Sequence, residues 1–184
     1  MMTELAVLIE KCLKRRRKYQ EELYHRFSGM VMGICMRYAQ DRSQAEDIFQ
    51  EAFIKVYERL AELKQPEALP GWIRKLTVHT ALNYIRPRLN STELIEDHVD
   101  ADDQEYHRMI DSLSNDQLVE MINELPDGYR FVFNMSVIDG YNHREIAEQL
   151  DIGESTSRSQ LTAAKKLLRE RLKKLGINRY ESVN

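Results

Sequence analysis

Hydroxyl, amide and cationic side chains are concentrated in one segment near the end of the chain. Leucines and alanines recur through it at helical spacing, which predicts an amphipathic helix with the polar groups on its outer side. Hydroxyls and amides can exchange hydrogen bonds with the edges of DNA bases, and cations can meet phosphates. We take eight residues as candidate contacts with duplex DNA: Thr156, Ser157, Arg158, Ser159, Gln160, Thr162, Lys165 and Lys166.

The preceding residues supply what would position such a helix. Asn142 and Glu145 have the spacing of a capping pair at the start of a short helix, and residues 151–153 are typical of a tight turn. Ser155 would cap the second helix, and the small Ala147 lets the two helices approach closely. This pattern predicts a helix-turn-helix motif. A basic amphipathic helix packed in a bundle is the alternative, which explains the charge but not the cap and the turn together.

A second constellation, between Trp72 and Arg88, interleaves basic, amide and aromatic side chains. Rings and amides can receive unstacked bases while cations follow the backbone, so this mixture suits single-stranded DNA. Trp72 and Tyr84 could instead be core residues, and for Trp72 we expect a core position that anchors the helix. The candidate contacts with single-stranded DNA are Arg74, Lys75, His79, Thr80, Asn83 and Arg86.

A third constellation combines two carboxylates and an amide. Asp47, Gln50 and Glu51 have i, i+3 and i+4 spacing, which places them on one face of a helix, opposite its aliphatic side. Such a face binds a partner in some proteins and is merely solvated in many others. The spacing alone leaves both interpretations open.

No comparable set of residues favours catalysis or metal binding. Cys12 and Cys35 have no companions at metal-ligand spacing, which predicts reduced, partly buried thiols. The sequence has no nucleophile arrangement and no phosphate-binding loop, so we expect a protein without catalytic residues, metal, cofactor or small-molecule substrate. Four scattered histidines also lack partners at catalytic or ligand spacing: His25, His98, His107 and His143.

The distribution of charge is more informative than the net charge of −3. Residues 64–90 hold five basic residues and one acid, and residues 155–174 hold seven basic residues and one acid. Between these segments, residues 93–111 hold eight acidic residues and only one basic residue, Arg108. Two basic segments that flank an acidic strip suggest two polyanion-binding modules with a linker, although solvated helix faces would explain either basic run alone. The absence of a long apolar run and of a secretory signal predicts a cytoplasmic protein.

Few glycines and prolines, with helical periodicity throughout, predict an all-α protein of two small helical domains. The first, residues 1–89, would be a helical bundle, and the second, residues 116–184, would hold the helix-turn-helix motif. Residues 90–115 would form an acidic flexible linker. Within the first domain, we expect Ser43 and Glu46 to cap a long helix, residues 66–71 to form turns, and a third helix to run from about Trp72 to Ile85, closed by Pro87.

Several motifs together resemble one protein family. Residues 44–57, QAEDIFQEAFIKVY, closely resemble region 2.2 of the extracytoplasmic-function sigma factors, a group of the bacterial sigma-70 family, and residues 71–76 and 83–86 resemble their regions 2.3 and 2.4. The resemblance to region 4 is carried by Leu125-Pro126, Tyr141, residues 144–147 and residues 155–168. The match covers nearly the whole chain in the right order.

The resemblance implies a protein that is not an enzyme and that loads core RNA polymerase onto promoter DNA. Asp47, Gln50 and Glu51 would face the coiled coil of the polymerase beta-prime subunit, with further contacts to the beta subunit. The second constellation would capture the non-template strand of the minus-ten element, and the helix-turn-helix would read the minus-35 element. An anti-sigma factor is implied as a regulatory partner.

The sequence also departs from the family pattern. His79 stands where the family very often has Asn, and Ala163 stands where many members carry Arg, so the preferred promoter sequence cannot be carried over. Two rival interpretations remain open. A dimeric helix-turn-helix repressor would bind duplex operators without polymerase, and a helical adaptor protein would direct no promoter-dependent transcript.

Overall fold

The computed structural model describes residues 3–89 and 115–174, and every regular element in those two ranges is helical. The predicted all-α class is therefore confirmed. The chain divides into two compact units, Met1–Pro87 and Arg88–Asn184. The acidic linker that we expected at residues 90–115 lies outside the described residues except for Asn115. None of the described helices has the length and apolarity that crossing a bilayer requires.

The first unit contains four α-helices: α1 (Glu4–Leu13), α2 (Arg17–Tyr38), α3 (Arg42–Arg59) and α4 (Leu69–Leu89). The basic residues 14–18 span the break between α1 and α2, because Arg15 has a φ of 54° and the chain reverses there. Two short 3-10 helices, Leu60–Glu62 and Pro66–Ala68, connect α3 to α4.

The core of the first unit forms where α2 and α3 pack against each other. Tyr24 of α2 lies 4.8 Å from Phe53 of α3 between ring centroids, and Phe49 and Phe53 are 5.0 Å apart. The Tyr57 hydroxyl donates to the Gln20 carbonyl at 2.8 Å, and burial raises the pKa of this phenol to about 12. These contacts hold the outer face of α3 in a fixed direction relative to α2.

Both cysteines belong to this unit and are buried free thiols. The Cys12 Sγ donates to the Tyr19 carbonyl at 3.2 Å. Burial raises the pKa of the Cys12 thiol to about 11 and that of Cys35 to about 12, which keeps both protonated near neutral pH. They are packing residues, as expected.

Three local predictions for this unit are wrong. Asp41, and not Ser43, caps α3, since its side chain accepts from the Gln44 amide at 2.8 Å. Residues 69–71 do not form a turn but the first turn of α4, where proline is tolerated because the first amides of a helix have no partner within it. The same helix continues through Pro87 to Leu89 and so ends later than expected.

The second unit contains α5 (Asn115–Asn123), α6 (Asp127–Phe133), α7 (His143–Leu150) and α8 (Glu154–Lys174). A π-helical stretch, Asn134–Ile138, continues α6, and Gly140 follows it with a φ of 76° that favours glycine. The long helix α8 forms the centre of the core. Its buried residues pack against those of α5 and α6 in a cluster formed by Met121, Ile122, Leu125, Tyr129, Phe133, Ala163, Ala164, Leu168 and Leu172.

Two arginines tie these helices together. The Arg171 guanidinium of α8 donates to the Met121 carbonyl at 2.9 Å and to the Glu124 carbonyl at 3.0 Å, at the end of α5. Arg130 of α6 donates to the carbonyl of Asn123, the last residue of α5, at 3.4 Å. Its buried charge is paired with Asp127 at 2.8 Å, and burial lowers its pKa while Asp127 opposes that shift.

Candidate nucleic-acid interface

The helix-turn-helix begins with a complete capping box at α7. The Asn142 side chain accepts from the Glu145 amide at 3.0 Å, and the Glu145 carboxylate accepts from the Asn142 amide at 2.9 Å. Each side chain therefore satisfies an amide that the helix leaves unpaired. The predicted capping pair is confirmed, and it fixes where α7 starts.

The turn between α7 and α8 is made by Asp151, which adopts the left-handed conformation with φ 57° and ψ 48°. Its amide and that of Ile152 both donate to the Ala147 carbonyl, the latter at 3.1 Å. Helix α8 then starts at Glu154, and the Ser157 amide donates to the Gly153 carbonyl at 2.9 Å. Ser155 thus lies inside the first turn of α8, and the prediction that it caps the helix is wrong.

The eight candidate contacts with duplex DNA divide between the two sides of α8. Arg158 is exposed, and four others are half-buried: Thr156, Ser159, Thr162 and Lys166. The remaining three are buried, which contradicts the expected outward orientation of Ser157, Gln160 and Lys165. Gln160 follows Ser157 by three residues and precedes Ala164 by four, so both begin the buried inner row that Ala164 and Leu168 continue.

Two contacts explain the burial of Ser157 and Gln160. The Ser157 hydroxyl lies 2.9 Å from Nδ1 of His143, the first residue of α7. Gln160 packs against Gly128 of α6 so closely that a Cβ at Gly128 would stand 3.1 Å from its Nε2. His143 is a residue that the sequence interpretation treated as isolated, and no spacing rule along the chain would have joined positions 143 and 157.

His143 lies in a predominantly cationic environment. Partial burial lowers its pKa, and the positive charges of Arg158 and Lys165 lower it further, while the Glu154 carboxylate raises it. The imidazole is therefore held more strongly in its neutral form than an exposed histidine would be. A neutral ring can accept or donate at Nδ1, which suits its contact with a serine hydroxyl.

The exposed side of α8 is ordered by contacts within the helix itself. The Ser159 hydroxyl donates to the Thr156 carbonyl at 3.0 Å, and the Thr162 hydroxyl donates to the Arg158 carbonyl at 3.1 Å. Arg158 forms an ion pair with Glu154, one turn earlier. The start of α8 therefore offers the long cationic side chain of Arg158, flanked by hydroxyl oxygens that can still accept.

Helix α4 presents the second constellation on its exposed side. Arg74, Lys75, His79 and Asn83 are exposed, and the ring of Tyr84 beside them is 42% exposed. Lys75, His79 and Asn83 follow one another at four-residue intervals and form a row, in which the Asn83 Nδ2 lies 3.4 Å from the His79 Nδ1. Trp72, expected in the core, is only half-buried.

Thr80 is a correction within this constellation. It is fully buried, and its hydroxyl donates to the Leu76 carbonyl at 2.8 Å. It shares the inner row of α4 with Ile73, Leu76 and Thr77, which explains why it faces away from the exposed row. Arg86 belongs to α4, but its side chain lies outside the described residues.

The outer face of α3 carries the third constellation. Asp47 and Gln50 are exposed, and Glu51 is half-buried in an ion pair with Lys55 at 3.1 Å. Ile54 continues the row, with a side chain that is 52% exposed. Its spacing of seven residues from Asp47 places it on this face, although it is not among the polar residues from which the face is predicted.

Comparison with known proteins agrees with this division into two parts. Residues 23–89 match the family "Sigma-70 region 2", and residues 115–168 match "Sigma-70, region 4". The ECF RNA polymerase sigma-E factor of Haemophilus influenzae is 26% identical over 180 residues, which cover 91% of this chain and 95% of that protein. The sigma-E factor of Escherichia coli K12 is 26% identical over 185 residues, covering 92% and 94% of the two chains.

Two further likenesses are weaker. The RNA polymerase sigma-H factor of Pseudomonas aeruginosa is 23% identical over 182 residues, covering 91% of this chain and 93% of that protein. A solved structure titled "Structure of CnrH in complex with the cytosolic domain of CnrY" covers 91% of this chain and 96% of its own, with a TM-score of 0.49 and 15% identity.

Two helical units with sequences of region 2 and region 4 define a bacterial transcription initiation factor, and the chain belongs to the sigma-70 family. Relatives that align over nine-tenths of its length specify the group further. The protein is an RNA polymerase sigma factor of the extracytoplasmic-function type, as the resemblance implied, and its activity is exercised on RNA polymerase and promoter DNA.

Proposed function

We propose that three exposed helix faces divide the work of initiation: α3 binds core polymerase, α4 captures single-stranded promoter DNA, and α8 reads duplex DNA. The observation that carries the proposal is the helix-turn-helix, with its capping box, its left-handed turn at Asp151 and the exposed Arg158 on the following helix. That geometry presents the start of a helix to a major groove.

For α3, the proposed partner surface is the beta-prime coiled coil, with the beta subunit contacting the protein elsewhere. The exposed side of α3 joins the acidic Asp47 and the amide of Gln50 to the aliphatic Ile54. An apolar group next to charged and amide groups suits a stable protein contact, because apolar area supplies affinity and charge supplies orientation. The family resemblance supplies the identity of the partner.

For α4, the proposed ligand is the non-template strand of the minus-ten element. Arg74 and Lys75 would follow phosphates, while His79, Asn83 and the exposed ring of Tyr84 would receive unstacked bases. Thr80 has no part in this proposal as a direct contact, since its hydroxyl is buried and already donates to the Leu76 carbonyl.

For α8, the proposed ligand is the minus-35 element as duplex. Arg158 would contact base edges, and Thr156, Ser159, Thr162 and Lys166 would serve as neighbouring base or phosphate contacts. Ser157 and Gln160 would act through packing, which sets the direction of α8, instead of touching DNA.

The proposal has three consequences beyond the DNA contacts. Nucleotidyl transfer belongs to the polymerase, so this protein contributes binding energy and base capture without being an enzyme itself. It works in the cytoplasm, where polymerase and promoters are. Resemblance to the family supports an anti-sigma factor as the regulator that covers its polymerase-binding or DNA-binding faces.

The test is reconstituted transcription with core polymerase on a genomic DNA library, followed by mapping of start sites. Full-length protein should direct initiation at a defined set of sites and should co-elute with core polymerase. A dimeric repressor would instead bind a palindromic duplex tightly without polymerase, and an adaptor would produce no promoter-dependent transcript. Either result would overturn the proposal.

The α3 face is tested by the combined Asp47→Ala, Gln50→Ala, Glu51→Ala variant, which should lose co-elution with core polymerase. A control variant, Glu120→Ala with Glu148→Ala, also removes two negative charges, but from exposed positions of the second unit. It should co-elute like the unchanged protein. Equal loss in both variants would mean that net charge, and not the α3 face, governs assembly.

A further inference from the structure

The exposed side of α8 contains an ion pair between the first residue of the helix and the residue one turn later. Glu154 Oε1 accepts from Arg158 Nη2, and both side chains face solvent, with 47% and 57% of their surfaces exposed. An isolated exposed pair of this kind adds little to stability. The pair is important because of its location, since Arg158 is the most exposed of the eight candidate contacts with duplex DNA.

The neighbours of Arg158 increase its importance for base recognition. The hydroxyl protons of Ser159 and Thr162 are donated to backbone carbonyls of α8, while Ser157 and Gln160 are buried. Among the exposed and half-buried side chains of residues 154–162, Arg158 is the one that carries more than one hydrogen-bond donor for the acceptor-rich edge of guanine. A guanidinium recognises guanine O6 and N7 with two donors at once.

The contact with Glu154 occupies one of five guanidinium donors and leaves the others available. An arginine without such a neighbour samples many rotamers and loses that freedom when it binds. A carboxylate that already holds the side chain along the outer side of α8 removes part of this entropic cost and limits the directions in which the remaining donors point.

We infer that Glu154 is a positioning residue for base recognition, which holds Arg158 ready to contact a guanine in the duplex promoter element. The inference rests on the proposed reading of duplex DNA by α8. Glu154 has a second effect in the opposite direction, since its negative charge repels phosphates and weakens binding to DNA of any sequence. Sequence preference is thus gained while affinity for random DNA is reduced.

Position and charge can be separated by two substitutions at the same site. Glu154→Ala removes both the charge and the oxygen that accepts from Arg158, whereas Glu154→Gln removes the charge and keeps an acceptor oxygen. Both should bind random duplex DNA more tightly than the unchanged protein, by about threefold each, because both lose one negative charge near the phosphates. Only Glu154→Ala should lose base preference.

The pair formed by Arg144 and Glu148 on α7 provides a matched control. It has the same i, i+4 spacing, its Nε and Oε1 atoms lie 3.3 Å apart, and it is more exposed. Glu148→Ala therefore breaks an equivalent ion pair in the same unit without touching α8. Circular dichroism should first establish that every variant keeps the helix content of the unchanged protein.

The experiment is a selection of promoter DNA with a randomised upstream element by holoenzyme made from the full chain and core polymerase. Arg158→Ala should lose a preference for guanine at one position by about tenfold or more, since a bidentate arginine contact discriminates to that degree. Glu154→Ala should lose at least about threefold at that same position, and Glu154→Gln and Glu148→Ala should retain the preference.

Three other outcomes would each overturn the inference about Glu154. If the unchanged protein selects no upstream sequence, the proposed reading by α8 fails and the inference fails with it. If Arg158→Ala loses the guanine preference but Glu154→Ala keeps it, α8 reads DNA and the positioning role of Glu154 is wrong. If Glu154→Ala and Glu154→Gln lose the preference equally, charge and not position is responsible, which also overturns the inference.

Discussion

Asp151 occupies a backbone conformation that costs most residues free energy. Its φ of 57° and ψ of 48° bring its side chain close to the local backbone, a strain that glycine avoids and that aspartate tolerates better than most. The conformation is required here, because it lets the chain leave α7 and enter α8 within three residues. The turn is therefore imposed by the two helices at the expense of local stability.

Replacement of Asp151 by glycine should raise the free energy of unfolding of the second unit by about 0.5–1 kcal/mol, since it relieves this strain. Urea denaturation followed by circular dichroism measures the change. Asp139→Gly is the control, because Asp139 has a φ of −97° that any residue adopts. That variant should gain nothing, and a similar gain in both would mean that strain at residue 151 is not the cause.

The environment of His143 predicts a dependence of stability on pH. Its pKa is lowered in the folded protein, chiefly by burial, so the unfolded chain takes up a proton more readily than the folded one. Above the ordinary histidine pKa of about 6.5, His143 therefore does not reduce the stability of the folded unit. As the pH falls below that value, proton uptake by the unfolded chain lowers the free energy of unfolding. His143→Gln should flatten this part of the profile.

The measurement for His143 is urea denaturation at a series of pH values between 7.5 and 5, about the range in which histidine changes charge. Fluorescence of Trp72, the single tryptophan, reports the first unit and serves as an internal control. Its transition should be the same in both proteins at every pH. A profile of the second unit that is equally steep with glutamine at position 143 would show that other groups cause the dependence.

At the scale of elements, the end of α5 depends on a side chain from α8. Arg171 donates to the carbonyls of Met121 and Glu124, and its guanidinium lies 3.1 Å from the Glu124 carboxylate. The last carbonyls of a helix have no partner within it, so a long cationic side chain is an effective substitute. One planar guanidinium thereby fixes where α5 ends against α8.

Arg171→Lys should lower the free energy of unfolding of the second unit by about 1–2 kcal/mol, because an ammonium cannot keep both carbonyl contacts in the same geometry. Denaturation followed by circular dichroism gives the value. Arg144→Lys, a change of the same kind at a highly exposed position of α7, should have little effect. If the two variants were equally stable, Arg171 would have no role in holding α5.

The elements also differ in how well their ends could be predicted. The capping box of α7 was predicted because Asn142 and Glu145 satisfy each other's amides within four residues. The start of α4 was missed because Pro70 and Gly71 are typical of both a turn and a first helical turn. The buried neighbours Leu69 and Ile73 favour the helix, and they act only after the unit has formed its core.

At the scale of the whole molecule, each unit has its own set of buried side chains and should unfold as a unit. Ile48 of α3 is fully buried in the first unit, so Ile48→Ala should lower the stability of that unit by about 3 kcal/mol and shift the Trp72 fluorescence transition. The unfolding transition of the second unit, followed by circular dichroism, should keep the same midpoint.

The reciprocal variant completes that test. Phe133 is buried in the second unit, so Phe133→Leu should shift the unfolding transition of that unit, which circular dichroism follows. The Trp72 fluorescence transition of the first unit should stay unchanged. A single transition that moves as a whole in both variants would contradict independent unfolding. The proposed function requires both units, because one carries the proposed polymerase-binding face and both carry proposed DNA-binding faces.

The sequence by itself determined the helical class, the family and the exposed character of most polar sites, because periodicity, capping and charge are properties of neighbouring residues. It did not determine the direction of Ser157, Gln160 and Thr80, which carry the same kinds of groups as true surface residues. Only the tertiary structure decided these directions, because burial of a side chain depends on which distant residues pack against it. His143 contacts Ser157, and Gly128 packs against Gln160.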